Sequence, residues 1–311
     1  MPLDPRAKRF LETLAAAKPR STRELTVEQR RASLADLMRL SGPPSPVERV
    51  EDRTLAGPAG ALAVKIYTPL GNSAAALPGL IYLHGGGLVA GTLATHDPIA
   101  RALANSGACR VVSVGYRLAP EHPFPAALDD ALAALKQIGA APEQYGIDAS
   151  RLGLCGDSAG ATLAAAATQA VSSTGAAPLA LQLLICPILD YSRSSESRRV
   201  LASGYLLDQT TLDHDLLHYA PAGTDPADPR ISPLRAATLT GAPRTAIHTA
   251  EFDPVRDDGR AYFERLTNAG AAVSYTCHPG MIHLFYGLGS VIPYANSAYE
   301  QIGTEIRTAF A

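Results

Sequence analysis

The chain has 311 residues, 47% of them apolar and 18% charged, with a formal net charge of −2. That balance describes a globular protein with a substantial core, and it gives no basic block with which to bind nucleic acid. Charge throughout the first residues (Asp4, Arg6, Lys8, Arg9, Glu12) argues against a secretory signal, and no apolar run approaches the roughly 20 residues of a membrane span.

Asp4 before Pro5 is an N-cap and first-turn signal, predicting a helix with Phe10, Leu11 and Leu14 on one face. Thr26 with Gln29 three residues on reads as a capping box, opening a second helix with an apolar stripe of Leu34, Leu37 and Met38. Ser41 to Pro46, proline-rich with one glycine, ends this region as a hinge. From Val47 the period changes. Gly57-Pro58-Ala59-Gly60 suits a hairpin turn before a strand over 62–67. Further strands are expected over 80–83, 110–114, around Leu152, over 179–185, 245–249 and 273–277. Helices are expected between them over 97–105 and 125–138, after Ser158, near 257–268 and over 294–310. Apolar strands alternating with helices imply an α/β fold, a mostly parallel sheet covered on both faces. In such sheets function gathers beyond the strands' carboxyl ends.

One segment, 190–223, breaks the alternation, being polar and then helical around 211–219. It reads as an insertion that joins the two N-terminal helices as a lid, with Leu206, Leu207, Leu212, Leu216, Leu217 and Tyr219 in need of burial. The expected division is therefore cap helices over 1–46, a catalytic domain over 47–189 and 224–311, and a cap insertion over 190–223. Cys109, Cys155, Cys186 and Cys277 each sit in or beside an apolar strand-like run without zinc spacing. They read as reduced core residues of a cytoplasmic protein.

Gly156-Asp157-Ser158-Ala159-Gly160 stands between a short apolar run and an alanine-rich helix. This G-x-S-x-G pattern is the nucleophile elbow of α/β-hydrolases. Its reason is steric: a serine on a sharp strand-to-helix turn needs near-absent side chains at Gly156 and Gly160. His84-Gly85-Gly86-Gly87 follows an early strand, and its glycines let backbone N–H groups approach a developing negative charge. Gly85, Gly86, Gly87 and Ala159 are the oxyanion-hole candidates, with Gly86 and Gly87 preferred from the loop. A serine hydroxyl needs a base, and the base an orienting acid, which follow in the order Ser, Asp or Glu, His. Glu251, Asp253, Asp257 and Asp258 follow a late strand. Asp253, held extended by Pro254, is preferred, since Asp257 and Asp258 suit the opening of the next helix. Of His278 and His283 beyond the last strand, His283 is preferred, on a loop after Pro279-Gly280 that can reach back across the sheet. No other histidine has a companion at metal-ligand spacing except His214 and His218, four apart on a predicted helix and read as solvated lid residues.

Together these stretches resemble the hormone-sensitive-lipase family of α/β-hydrolases, in its bacterial carboxylesterases of the G-D-S-A-G type. The segments that carry the resemblance are His84–Gly87, Tyr116–Ala126, Gly156–Gly160, Asp253–Gly259 and Met281-Ile282-His283. The resemblance implies Ser158 as nucleophile, His283 as base and Asp253 as acid, and a cap built from the N-terminal helices and the insertion. Three positions depart from the family pattern. Leu88 stands where an aromatic is frequent, and Ala161 and Leu284 where glycine is usual. Leu88 and Leu284, with Leu206 on the insertion, are the substrate-binding candidates. Glu121 and His122, in the family's longest motif, read as structural.

The expected activity is hydrolysis of short- to medium-chain carboxylic esters through an acyl-enzyme, with no cofactor and no metal. An amide or carbamate hydrolase at the same site is the alternative, and a ligand-binding module on the hydrolase fold a further one. The expected partner is a small-molecule ester, with a homodimer as the one assembly to test, and neither nucleic acid nor membrane.

Overall fold

The computed structural model describes residues 1–72, 74–174 and 179–311. Its centre is an eight-stranded sheet of β1 (Arg49–Gly57), β2 (Gly60–Thr68), β3 (Leu77–Leu83), β4 (Arg110–Val114), β5 (Ile147–Asp157), β6 (Leu181–Ile185), β7 (Thr245–Phe252) and β8 (Val273–Ile282). The spatial order is β1-β2-β4-β3-β5-β6-β7-β8. The pairs β1–β2 and β2–β4 are antiparallel, and all pairs from β4 onward are parallel. Gly57 pairs with Gly60 across the expected hairpin turn.

Alternate residues of each central strand face opposite cores, as the two-residue period of a strand requires. Ile81 and Leu83 join one cluster with α4 (Ala126–Ala140), α5 (Ala159–Thr174) and α8 (Arg256–Asn268). Leu80 and Tyr82 join the other with α3 (Asp97–Gly107) and α9 (Tyr294–Ala309).

The N-terminal signals act as their chemistry predicts. Asp4 accepts from the N–H groups of Arg6 and Ala7 at 2.8 and 3.1 Å, opening α1 (Pro5–Ala16). Thr26 and Gln29 close a reciprocal capping box on α2 (Val27–Met38). The two helices then part company. α1 packs on β8, where Asp4 N donates to Gly280 O at 3.0 Å. The turn before α2 meets α7 (Gln209–Tyr219) through a 2.8 Å hydrogen bond between the hydroxyls of Thr22 and Thr211. The second helix thus reaches the segment 190–223, which also carries the short α6 (Glu196–Val200), while Phe10 and Leu11 of α1 join the same apolar cluster as Tyr205 and Leu206.

Several expectations are corrected. Leu217 is 76% exposed, whereas Leu212 and Tyr219 on the same helix are buried. β7 and β8 run on to Phe252 and Ile282, so Pro279-Gly280 lies inside a strand. Proline is tolerated there because β8 is the sheet's edge. Among the described residues no helix is long and apolar enough to cross a membrane.

Candidate active site

β5 delivers Ser158 at its carboxyl end, and α5 begins at the next residue. Ser158 has φ +52°, a left-handed conformation that costs a serine about 1–3 kcal/mol and persists only where the surroundings over-determine it. Its own N–H donates to Ile185 O at 2.8 Å. The flanking glycines answer to sterics: a Cβ on Gly156 would fall 2.2 Å from Gly160 O, and one on Gly160 would fall 2.1 Å from Leu83 O.

Ser158 Oγ lies 2.9 Å from His283 Nε2, and His283 Nδ1 lies 2.7 Å from Asp253 Oδ2. The other oxygen of Asp253 accepts from Val255 N at 3.0 Å. Asp253 is fully buried, and Ser158 and His283 are only 7% and 6% exposed. Asp253 follows the end of β7 and His283 the end of β8, so paired strands present them side by side.

The rival candidates are engaged elsewhere. Glu251 binds the Met1 amine and accepts from Gly280 N at 2.7 Å. Asp257 accepts from Ser197 N at 2.7 Å. Asp258, fully buried, accepts from Leu189 N, Asp190 N and Arg198 at 2.8–3.1 Å. These two acids therefore tie α8 to the insertion, beyond opening the helix. His278 is buried inside β8 between His248 and Tyr294, and burial with the neighbouring His248 pushes its pKa down to about 3.

The glycine loop needs one correction. Gly85 N donates to Asp157 Oδ1 at 2.9 Å, which removes it from the candidate donors. Among the described residues the N–H groups of Gly86, Gly87 and Ala159 have no such partner. Gly86 and Gly87 have φ +118° and +69°, conformations that glycine adopts without Cβ strain. Asp157 is the residue that sequence reasoning passed over. Fully buried, it also accepts from Tyr82 and Tyr286 hydroxyls at 2.6 and 2.9 Å, and burial raises its pKa despite those donors. A carboxylate ending the buried run 152–157 of that strand was the available signal. His84 and His96 stack behind it with pKa values pushed down by burial to about 3 and about 4.

Against the loop packs α2, with Leu34 Cδ2 3.0 Å from where a Cβ on Gly86 would stand. Arg31 on α2 holds Glu121 at 2.6 Å and donates to the carbonyls of Val89 and Ala119, and it pulls the Glu121 pKa down to about 2. A 610 Å³ cleft lined by Arg31, Leu118, Glu121 and His122 opens there, without reaching Ser158. Arg30 pairs with Asp215 on α7, a contact across 185 positions that no local pattern announces. His214 is buried against Asp215 with its ring tilted against that of His218, so it is not a solvated lid residue.

The three substrate-binding candidates do not share one cluster. Leu88 (φ +64°) packs with the α4 and α5 core, and Leu206 and Leu284 with the other. Leu206 follows Tyr205, whose ring stacks on Phe252 at 5.5 Å, next to Asp253. Leu284 has φ +62°, the conformation for which glycine is the unstrained choice. Among the described residues one group could gather a metal ion, Cys186 with Asp253 and His283, and two of its three members already bond to one another.

Comparison with known proteins follows the same geometry. A family model described as alpha/beta hydrolase fold matches residues 80–287. The carboxylesterase NlhH of Mycobacterium tuberculosis is 40% identical over 274 residues, covering 85% of this chain and 84% of that relative. An ethyl acetate hydrolase of Pseudomonas putida is 40% identical over 243 residues, 78% of this chain and 76% of its own. Among solved structures, the ester-hydrolase EH1AB1 from the metagenome of Lake Arreo, complexed with a derivative of bipyridine phosphonate, superimposes with a TM-score of 0.96. It is 40% identical and the match covers 99% of both chains.

Proposed function

The chain belongs to the alpha/beta hydrolase fold family, in its hormone-sensitive-lipase branch, and from that premise we propose that Ser158, His283 and Asp253 carry its carboxylesterase chemistry. The observation that carries the assignment is the continuous chain from Ser158 Oγ through His283 to Asp253 at 2.9 and 2.7 Å.

In this reading His283 Nε2 accepts the Ser158 proton as Oγ attacks the ester carbonyl. Asp253 holds the Nδ1–H and stabilises the imidazolium that forms. The negative charge on the carbonyl oxygen rests on the N–H groups of Gly86, Gly87 and Ala159, each worth about 2.7–4 kcal/mol of transition-state stabilisation. His283 returns its proton to the departing alcohol. Water then attacks the acyl-enzyme by the same route, His283 taking its proton and returning one to Ser158.

Residues 1–46 and 190–223 act as the cap. Support comes from the Thr22–Thr211 and Arg30–Asp215 contacts and from Leu34, whose Cδ2 would lie 3.0 Å from a Cβ on Gly86. A closed cap over a serine this buried encloses a finite space, which favours short- to medium-chain acyl groups. Leu206 and Leu284, in one apolar cluster, suit the acyl side, and Leu88 the opposite wall. Four free cysteines, three of them buried, suit a reducing cytoplasm. A homodimer is tested by sedimentation of the pure protein.

Labelling with an organophosphonate tests the nucleophile. One equivalent should attach to Ser158, the Ser158→Ala variant should take none, and His283→Ala should label far more slowly. Attachment at another residue with full loss of activity would overturn the assignment.

A further inference from the structure

The cap sets a buried ion pair against the glycine loop. Arg30 Nε and Nη2 meet Asp215 Oδ1 and Oδ2 at 3.3 and 2.8 Å, with the two side chains 13% and 6% exposed. His214 Nδ1 lies 3.1 Å from the same carboxylate, and the His218 ring is tilted against that of His214 with centroids 4.3 Å apart. The carboxylate rests on Gly87: a Cβ built there would fall 1.8 Å from Asp215 Oδ2 and 2.4 Å from its Cγ. Gly87 is one of the proposed oxyanion donors, so a full negative charge stands beside the place where the reaction develops another. Two like charges in a water-poor site repel far more strongly than in water. Held alone, Asp215 would oppose the transition state that the loop exists to favour.

Resting on the triad reading above, we propose that Arg30 is a positioning residue for ester hydrolysis, cancelling the charge of Asp215 where that carboxylate presses on the oxyanion loop. Arg30 comes from α2 and Asp215 from α7, so cancellation requires both cap segments in place. Closing the cap thereby makes the oxyanion hole electrostatically competent, besides excluding water from it. The guanidinium fork suits the task because it engages both carboxylate oxygens at once.

The test compares Arg30→Met, Asp215→Asn, the double variant Arg30→Met/Asp215→Asn and Arg30→Lys in the full chain. Thermal midpoints are measured for each, and phosphonate labelling of Ser158 in the parent protein checks the triad reading separately. Arg30→Met should lower kcat on p-nitrophenyl acetate on the order of 10- to 100-fold with little change in KM. Asp215→Asn should stay within about threefold of the parent, and the double variant should recover at least about tenfold over Arg30→Met, because the offending charge has gone. Arg30→Lys, which keeps the charge, should retain most of kcat. Affinity for a boronic acid, whose tetrahedral adduct places negative charge near the loop, should fall in step with kcat. Equal rates in Arg30→Met and the double variant, or losses that merely follow the thermal midpoint, would show the pair to be a cap anchor only. Should Arg30→Met fail to fold, a tenfold or larger loss in Asp215→Asn overturns the proposal by itself. Failure of Ser158 to label in the parent would instead strike the triad reading.

Discussion

Replacing Asp253 by asparagine tests the acid most sharply, because the surroundings dictate which way the amide must face. Oδ1 accepts from Val255 N at 3.0 Å and Oδ2 lies 2.7 Å from His283 Nδ1. The Val255 N–H can only donate, so the amide oxygen must stay there and its NH2 must face the imidazole. Nδ1 then accepts, the ring proton moves to Nε2, and Nε2 can no longer take the Ser158 proton. The reverse orientation keeps the working tautomer but sets NH2 against N–H in a fully buried place, at about 1–3 kcal/mol. That leaves roughly one molecule in six to one in 160 in a usable arrangement. Even this fraction lacks the negative charge that stabilises the imidazolium. The two effects together should lower kcat by about 10⁴-fold, while the thermal midpoint stays close to that of the parent. Initial rates on p-nitrophenyl acetate and a melting curve measure both. If Asp253→Asn stays within about tenfold of the parent while Glu251→Gln or Asp257→Asn is inactive, the acid has been misassigned.

Gly87→Ala combines a left-handed φ of +69° with a Cβ 1.8 Å from Asp215 Oδ2, so the loop must shift; kcat should fall about 100-fold or more, and a near-normal rate would remove Gly87 from the oxyanion hole. The folded-state pKa of His278, about 3, lies below the ordinary value of about 6.5, so the unfolded chain takes up a proton that the folded one refuses. Its stabilising contribution is therefore complete above about pH 6.5 and is lost as pH falls toward 3, at up to about 1.4 kcal/mol per pH unit. His278→Gln should flatten the decline of urea midpoints between those limits, and an unchanged slope would refute the cause. Deleting residues 1–40 strips Ala7, Leu34 and Met38 from one core and Arg31 from its carbonyls. The truncated chain should lose its discrimination among acyl lengths, and kcat/KM for the preferred ester should fall far more than for phenyl acetate; an unchanged profile would place the helices outside the pocket.

What could be read from the sequence was local. Gly156 of G-D-S-A-G is dictated by its contact with Gly160 four residues on, and the Asp4 and Thr26 caps are equally local, whereas Gly160 answers to the distant Leu83 and His84 carbonyls. The parallel sheet followed from the alternation of apolar runs, which survives errors at the ends of each strand. Those errors had a physical source. β5 begins at Ile147 through half-buried Asp148 and exposed Ala149 and Ser150, where hydrophobicity gives no signal, and β8 passes through a proline that only an edge strand accepts. Contacts between distant charges left no trace at all. Asp258 reads as a helix-opening acid until Arg198 and the Leu189 and Asp190 N–H groups are brought to it. Gly85 likewise belongs with its neighbours as a donor until Asp157, 72 positions away, claims its N–H.

The same long-range order sets the meeting of acid and base. Ser158, Asp253 and His283 each stand one residue past a strand end, so strand register fixes their spacing. Along β7 and β8 the partner of Ala250 is His278, but the partner of Phe252 is Ile282. The offset thus grows from 28 to 30 positions across one irregularity. With the earlier offset Asp253 would lie opposite Met281; with the later one it faces His283. The shift falls within Pro279, Gly280 and Met281, which stand against the single Glu251, and Gly280 takes φ +71°, which suits glycine. Gly280 is also held from both sides, its N–H donating to Glu251 and its carbonyl accepting from Asp4 N. Glu251 in turn binds the Met1 amine. The N-terminal segment is therefore tied to the very turn that brings base and acid into line, a coupling through backbone register and not through any contact with the triad itself.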